Sequence, residues 1–395
     1  LPFDSKNPME LIHHHLARVP VSPSEVSSEI PEVISTIILK LLRKNAENRY
    51  KSAAGVQVDL EKCLQRLRPD NTIEGFPLGE ADYTSRFKFP QKLYGRESEL
   101  KELVSAFKSA CRETSAIMFV SGYSGIGKTA LVEEIQLSVS EKRGYFIKGK
   151  FDPYLRTTPY AGINQAFAVF VSQILAEPEK NFNEWQETIQ SAVGALGKVL
   201  TEVMPALEKI IGAQPNVPQL GGQEAENRFN YVFINFLMTV ATEKHPLVLF
   251  IDDLQWIDAA SLRLLKVIQS DFNQPGLLVI GAYRDNEVDA SHPLMGFIGE
   301  QENKGKRPRI LKLDNLQQQH LEMLLSNTLR SQTGIKELGT TIYEKTQGNP
   351  FFSRRLLYSL HEEGRIRYES EINSWKWDIE DINKEAIANN VADLL

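Results

Sequence analysis

A glycine-rich octapeptide constrains the fold of this chain more than any other feature of its sequence. Residues 122–129 read Gly-Tyr-Ser-Gly-Ile-Gly-Lys-Thr and fit the pattern G-x-x-x-x-G-K-[ST] at each fixed position. An apolar run, Ile117-Met118-Phe119-Val120, precedes the pattern, and an amphipathic stretch, Thr129–Glu141, follows it. A glycine-rich turn between a buried strand and a helix is the context in which this pattern binds phosphate. The sequence therefore predicts a P-loop.

The residue types in this loop suit the binding of a nucleoside triphosphate together with its metal ion. Glycines allow the backbone to curl so that its N–H groups point at phosphate oxygens. Lys128 supplies a cation for the β- and γ-phosphates, and the Thr129 hydroxyl is an oxygen ligand suited to Mg²⁺. We expect ATP or ADP with Mg²⁺, contacted by Gly122, Ser124, Gly125, Ile126, Gly127, Lys128, Thr129 and Ala130.

A second apolar run ends in two adjacent acids. Residues 247–253 read Leu-Val-Leu-Phe-Ile-Asp-Asp. Asp252 is predicted to hold Mg²⁺ through water, and Asp253 to orient or polarise the attacking water. Taken alone, this run also fits a strand that ends in two solvated acids. The P-loop earlier in the chain favours the site, with Lys128 and Asp253 as catalytic residues.

Arg284 follows a third apolar run, Leu277–Tyr283. Ligands of open parallel sheets lie beyond the carboxyl ends of the strands, so Arg284 can reach a γ-phosphate from there. The alternative is a surface ion pair with Asp285 or Glu287. The residues alone leave both interpretations open.

Short apolar runs alternate with amphipathic stretches from Leu93 onward, which predicts an α/β fold with a parallel sheet covered on both faces. The predicted strands of this five-stranded sheet are Ala116–Ser121, Gly144–Lys150, Leu247–Asp252, Leu277–Ala282 and Arg309–Leu313. The flanking regions are mainly helical. The predicted divisions are an all-α segment over 1–68, a linker over 69–92, a P-loop core over 93–313, a helical lid over 314–365 and an incomplete further domain over 366–395.

Composition narrows the class of protein. The net charge of −6 over 395 residues argues against a nucleic-acid-binding face on this chain. Two cysteines without a zinc or disulfide spacing, and no apolar run of about 18 residues, predict a cytoplasmic protein that does not cross a membrane. Leu1 in place of an initiator Met and the apolar end at Leu395 suggest a fragment of a longer protein.

With these motifs in place, residues 93–365 resemble the STAND-type ATPases, a signalling branch of the AAA+-like P-loop fold. The resemblance rests on Leu93–Leu100, the P-loop, Asp252-Asp253 and Gly348-Asn349-Pro350-Phe351, in that order. It implies that Gly95, Arg96 and Pro350 contact the nucleotide. It also implies that Arg284 is the γ-phosphate sensor.

The first 68 residues resemble the end of a Ser/Thr protein kinase C-lobe. The matching segments are Leu1-Pro2-Phe3, Pro31–Leu42, Asn45–Tyr50 and Asp59-Leu60. Arg49 matches the kinase arginine that pairs with the Glu ending the activation segment, and that Glu is missing here. The glycine-rich loop, strand lysine, H-R-D loop and D-F-G motif are missing too, so we expect no protein kinase activity from this chain. The order of segments is similar to the multi-sensor Ser/Thr kinases of cyanobacteria, in which a histidine kinase often follows.

These observations predict an ATP-binding and ATP-hydrolysing switch module whose partners are other domains of a parent signalling protein. Three alternatives remain. The first is a nucleotide-binding scaffold without turnover, and the second is an ATP-regulated transcription activator of the STAND class. The third is an interaction module that docks through the kinase remnant. The sequence leaves open a homo-oligomer.

Overall fold

The computed structural model describes residues 2–4, 11, 14–15, 18–44, 48–50, 52–69, 72–80, 82, 87–113, 115–155, 158–303, 308–369 and 374–385. Leu1 and residues 45–47 of the kinase resemblance, and residues 386–395 of the last predicted domain, lie outside this set. Beyond the first nine residues, the chain forms two compact units. One comprises residues 96–314, and the other residues 10–95 together with 315–395.

The unit formed by residues 96–314 contains a five-stranded sheet in the order β2-β3-β4-β1-β5, and all neighbouring strands are parallel. The predicted fold class is therefore confirmed. Strands β3 and β4 are buried at every residue, because apolar side chains point to both faces of a covered sheet. The strands are β1 Ala116–Ser121, β2 Tyr145–Lys150, β3 Leu247–Asp252, β4 Leu277–Tyr283 and β5 Arg309–Lys312.

Helices connect these strands and supply most of the core. A large buried cluster joins the sheet to aromatic side chains of two of them, including Phe167, Phe170, Phe233 and Phe236. In chain order, numbered after the described helices of the N-terminal residues given below, they are α4 Glu97–Ala110, α5 Lys128–Glu133, α6 Gln136–Glu141, α7 Ala161–Leu175, α8 Glu179–Val193, α9 Gly197–Val203, α10 Glu208–Ile211, α11 Gly222–Val240, α12 Ala259–Asp271 and α13 Pro293–Asn303.

The stretch after the P-loop, predicted as one helix over Thr129–Glu141, is two helices. Helix α5 ends at Glu133 and α6 begins at Gln136. Between them the N–H of Ile135 donates to the carbonyl of Val132, three residues back, at 3.2 Å. This tighter turn interrupts the four-residue hydrogen-bond ladder. Ile135 and Val139 both remain buried, so the apolar periodicity of one helix persists across the break.

The other compact unit is mainly helical. Its helices are α1 Pro23–Val26, α2 Glu32–Leu41, α3 Ala53–Arg66, α14 Gln318–Leu329, α15 Ile335–Thr346, α16 Pro350–Glu362 and α17 Ile379–Glu385, and its antiparallel hairpin is β6 Ile366–Glu369 with β7 Ser374–Trp377. Phe87 and Phe89, in the segment predicted as a linker, are buried in the core that α14, α15 and α16 form with this hairpin. None of the helices in the described part of the chain is long and apolar enough to cross a bilayer.

Strand β2 and helix α7 approach closely at Gly149. A Cβ atom built on Gly149 overlaps the backbone carbonyl of Gly162 and lies 3.3 Å from the methyl group of Ala166. A backbone carbonyl in a packed interface cannot move aside as a flexible side chain can. The absence of a side chain at Gly149 therefore allows α7 to cover the edge strand beside β3.

We expect Gly149→Ala to lower the free energy of unfolding by at least about 2 kcal/mol, because the methyl group forces β2 and α7 apart. Gly296→Ala is the matched control. It lies on α13 with nothing within 4 Å of an added Cβ, so the change is expected to stabilise the protein by roughly 0.5–1 kcal/mol. Urea unfolding of both variants measures this difference, and equal midpoints would contradict the close packing at Gly149.

Candidate functional site

The strand order brings the P-loop and the polar residues at the ends of three other strands to one edge of the sheet. The P-loop follows β1, Asp252 ends β3, Arg284 follows β4 and Lys150 ends β2. Strand β4 lies between β1 and β3, and β2 pairs with the outer side of β3. Because all these strands are parallel, their carboxyl ends meet at the same edge.

The P-loop turns back on itself around the Lys128 side chain. Gly125 and Gly127 have φ values of 74° and 98°, in the left-handed region that glycine adopts without a Cβ clash. Lys128 is 8% exposed. Its Nζ donates to the carbonyls of Gly122 at 2.7 Å and Tyr123 at 2.9 Å. Burial lowers the pKa of the Lys128 ammonium below its ordinary value, although the charge of Asp252 acts in the opposite direction.

Thr129 and Asp252, 123 residues apart in sequence, are in direct contact. The Thr129 hydroxyl donates to Asp252 Oδ2 at 2.7 Å, and the N–H of Asp253 donates to Asp252 Oδ1 at 3.0 Å. Within the described residues, no group of three or more His, Cys, Asp or Glu side chains could hold a metal ion. A hydroxyl beside a single carboxylate is suited to Mg²⁺, which takes few protein ligands and completes its shell with water and phosphate.

Asp253 lies at the centre of a network of donors. Its φ of 56° places it in the left-handed region, which Asp tolerates better than most residues. Its Oδ2 pairs with Lys150 Nζ at 2.9 Å, and its Oδ1 accepts from Gln255 Nε2 at 3.0 Å. Arg284 Nε lies 3.6 Å from the same Oδ1. The carboxylate is thus held by groups from three segments of the chain.

These donors determine the charge of Asp253. Burial alone would raise the pKa of the carboxyl, but the hydrogen bonds from Lys150 and Gln255 and the charges of Lys150 and Arg284 outweigh it. The pKa of Asp253 therefore lies below its ordinary value. The group is an anion at neutral pH, as a residue that polarises water must be.

Arg284 forms the surface ion pair of one interpretation and also lies beside Asp253, so its contact with a γ-phosphate stays a prediction. Its Nη1 donates to Glu287 Oε1 at 2.6 Å, which is the ion pair of the surface alternative. Its guanidinium also lies 5.1 Å from the centroid of the Trp256 ring and close to Asp253. The remaining alternative partner, Asp285, has an Oδ1 that is buried without a hydrogen bond.

Three residues that the resemblance assigns to the nucleotide site, Gly95, Arg96 and Pro350, do not lie at the carboxyl ends of the strands. Arg96 is buried, and its guanidinium contacts backbone carbonyls of the α/β unit. Gly95 and Pro350 belong to the helical unit, where Pro350 is the first residue of α16 and Asn349 caps that helix. The structure thus brings together the P-loop, Asp252, Asp253 and Arg284. Nucleotide contacts of Gly95, Arg96 and Pro350 stay predictions.

Sequence reasoning missed Lys150 and Gln255. Gln255 is 3% exposed, and its Oε1 also accepts the backbone N–H of Arg284 at 3.2 Å, so it ties the ends of β3 and β4 together. Lys150 ends a strand whose place in the sheet the sequence does not reveal. For Lys150, the only signal available in the sequence was its place as a polar residue at the predicted carboxyl end of a strand.

Comparison with known proteins supports the P-loop assignment. Residues 92–280 match the sequence model of the AAA ATPase domain. Hybrid signal transduction histidine kinase G of Dictyostelium discoideum is 29% identical over the whole of this chain, which spans 14% of that protein. Histidine protein kinase 1 of Candida albicans is 24% identical over 70% of this chain and 13% of its own length.

A shorter match is to serine/threonine-protein kinase PknB of Mycolicibacterium smegmatis, 32% identical over 69 residues, which are 18% of this chain and 11% of that kinase. Among solved structures, the ORC2 protein of Aeropyrum pernix is 15% identical, with 77% of this chain and 70% of that chain covered and a TM-score of 0.42. A RuvB variant of Thermotoga maritima is 15% identical, with coverages of 78% and 76% and a TM-score of 0.40. Residues 92–280 are thus similar to the AAA ATPase domain, and the chain as a whole is similar to parts of signalling kinases.

We expect Thr129→Val to lower the free energy of unfolding by about 1–3 kcal/mol without added nucleotide, because it removes the donor to the buried Asp252 carboxylate. Thr129→Ser keeps the hydroxyl and is the matched control, with a smaller loss expected. Thermal and urea unfolding without magnesium measure both variants. A valine variant as stable as the serine variant would show that the Thr129–Asp252 bond contributes nothing.

Proposed function

We propose that this chain is an ATP-binding and ATP-hydrolysing switch module of a larger signalling protein. The observation that carries the proposal is the contact between Thr129 and Asp252 beside the buried Lys128, with Asp253 held next to them as an anion. A P-loop, a metal-binding hydroxyl and carboxylate, and a second carboxylate are the parts that hydrolysis of a nucleoside triphosphate requires.

Lys128 binds the phosphates by exchanging its acceptors. Its ammonium now donates to two P-loop carbonyls, and the β- and γ-phosphate oxygens of ATP are stronger, charged acceptors for the same protons. Phosphate charge also opposes the burial that lowers the pKa of Lys128. The loop therefore stores a cation within reach of the place where the phosphates bind.

Thr129 and Asp252 are the residues that would hold Mg²⁺, and the metal would neutralise charge on the β- and γ-phosphates. Asp253 then orients the attacking water and polarises it toward the γ-phosphate. Its left-handed backbone and the Gln255 amide fix the direction of the carboxylate. In our proposal Arg284, which lies beside Asp253 and Trp256, contacts the γ-phosphate, as the resemblance implies.

The proposed switch has two conformations of the protein, one favoured by ADP and the other by ATP. In our proposal, ADP holds the helical lid at Pro350 closed, ATP loosens it and hydrolysis resets it. A ligand shifts such an equilibrium only by its difference in affinity for the two conformations. The similarity to signalling kinases supports a parent protein with Ser/Thr or histidine kinase domains, and the kinase motifs missing from this sequence assign kinase activity to other parts of that parent.

We expect Lys128→Ala to weaken binding of Mg·ATP at least about tenfold, because a charged hydrogen-bond donor is lost. Lys142→Ala, at an exposed position after α6, is the control and should bind as the wild type does. Titration with a fluorescent ATP analogue measures both affinities. An unchanged affinity in Lys128→Ala would overturn the P-loop assignment.

We expect Asp253→Asn to bind Mg·ATP and to release phosphate about 100-fold or more slowly than the wild type, because the amide cannot polarise water as the anion does. Phosphate release under saturating Mg·ATP is the measurement, and equal affinity is the check that the variant is folded. A wild type that binds ATP without releasing phosphate would favour the scaffold alternative.

A further inference from the structure

The buried guanidinium of Arg96 donates to two backbone carbonyls that are far from it in the sequence. The residue is 6% exposed, and its Nη2 donates to the carbonyl of Asp314 at 2.6 Å and to that of Ile126 at 3.4 Å. Its Nη1 donates to Glu99 Oε1 at 3.3 Å. Burial alone would raise the pKa of Glu99, but hydrogen bonds from Ser98 and its own backbone, with Arg96, lower it. The guanidinium thus has an anionic anchor and two carbonyl acceptors.

These two carbonyls belong to functionally different segments. Ile126 lies inside the P-loop, between Gly125 and Gly127. Asp314 follows β5 and is the last residue of the α/β unit, and Arg96 begins the main segment of that unit. The points at which the chain enters and leaves the α/β unit are therefore joined by one side chain, which also contacts the P-loop.

A second connection links the P-loop to the exit of β5. The N–H of Leu313 donates to the carbonyl of Ser121 at 2.8 Å. A Cβ atom built on Gly122, whose φ is 150°, would lie 2.7 Å from the carbonyl oxygen of Leu313. The first residue of the P-loop is thus packed against the backbone just before Asp314, so little slack separates the two segments.

The two bonds of Arg96 Nη2 differ in length. At 2.6 Å the bond to Asp314 is short, whereas at 3.4 Å the bond to Ile126 exceeds the usual range for an N–H···O bond. The bond to Ile126 is therefore the weaker of the two and the one that a small rotation of a P-loop peptide changes first. Phosphate binding acts on this loop, because Lys128 must leave the carbonyls of Gly122 and Tyr123.

We propose that Arg96 is a positioning residue that couples the P-loop to the exit segment at Asp314 through these two carbonyls. This inference rests on the proposed nucleotide switch and supplies its mechanical connection. A shift of the Ile126 carbonyl moves the guanidinium, and the guanidinium moves the backbone from which the chain continues into residues 315–330. In this proposal Arg96 acts through the backbone carbonyls that it contacts, whereas the resemblance implies a direct contact with the nucleotide.

Hydrogen–deuterium exchange of residues 314–330, with Mg·ADP and with a non-hydrolysable Mg·ATP analogue, tests the coupling. Arg96→Lys keeps the positive charge, but a single ammonium group cannot span both carbonyls and Glu99 in the same way. Arg112→Lys is the matched control, because Arg112 is exposed and lies just after helix α4, which begins directly after Arg96. We expect Arg96→Lys, measured with each nucleotide at saturation, to lose most of the exchange difference between the two nucleotides, whereas Arg112→Lys keeps it.

Each contrary outcome has a separate meaning. An Arg96→Lys protein that is folded but no longer binds nucleotide would overturn the coupling and assign Arg96 to the ligand. One that retains the full exchange difference would overturn it as well. If the wild type binds both nucleotides but shows no exchange difference between them, the proposed switch itself fails, and the coupling fails with it.

A second variant covers the case in which Arg96→Lys does not fold. Glu99→Gln leaves Arg96 in place and removes the anion that anchors its Nη1. We expect a partial loss of the exchange difference with nucleotide affinity preserved. A Glu99→Gln protein with the full difference would overturn the coupling.

Discussion

Complete burial of strands β3 and β4 is the constraint on which the candidate site depends. A strand buried on both faces cannot slip in register without exposing apolar side chains or burying polar ones. The pairing of Lys150 with Asp252 and of Ser121 with Tyr283 at the carboxyl edge is therefore fixed by the packing of the whole sheet. That register places the Thr129 hydroxyl within hydrogen-bonding distance of Asp252 and holds the polar groups at a single edge.

At this edge, cations and anions are balanced within a small volume. Lys128 is buried against carbonyls, and Asp252 and Asp253 lie close enough to offset part of the cost. Asp253 in turn is stabilised as an anion by Lys150 and Arg284. A phosphate chain with its metal would add both signs of charge to an arrangement that already contains both. Binding therefore requires exchange of partners rather than burial of a new, uncompensated charge.

The backbone next to this edge contains the contacts through which we propose that the P-loop is coupled to the end of β5. Leu313 packs against Gly122, and Arg96 joins the Ile126 and Asp314 carbonyls, so two independent contacts lead from the P-loop to the end of β5. In our proposal these close contacts transmit small displacements, because little free space separates the two segments. In the helical unit, Phe87 and Phe89 are buried beside α14 to α16, so the residues leading up to Arg96 are also anchored.

The sequence by itself determined the strands, the P-loop, the acidic pair and the fold class. These features are encoded locally, in glycine spacing and in apolar runs bounded by polar residues. Tertiary structure alone decided which side chains surround Asp253, because Lys150 and Gln255 become its neighbours only through the order of the strands and the turn after β3. It also decided the break at Ile135, since the apolar period runs through both helices. The hydrogen bonds of Arg96 likewise depend on contacts between residues as far apart as 96 and 314, which no local pattern records.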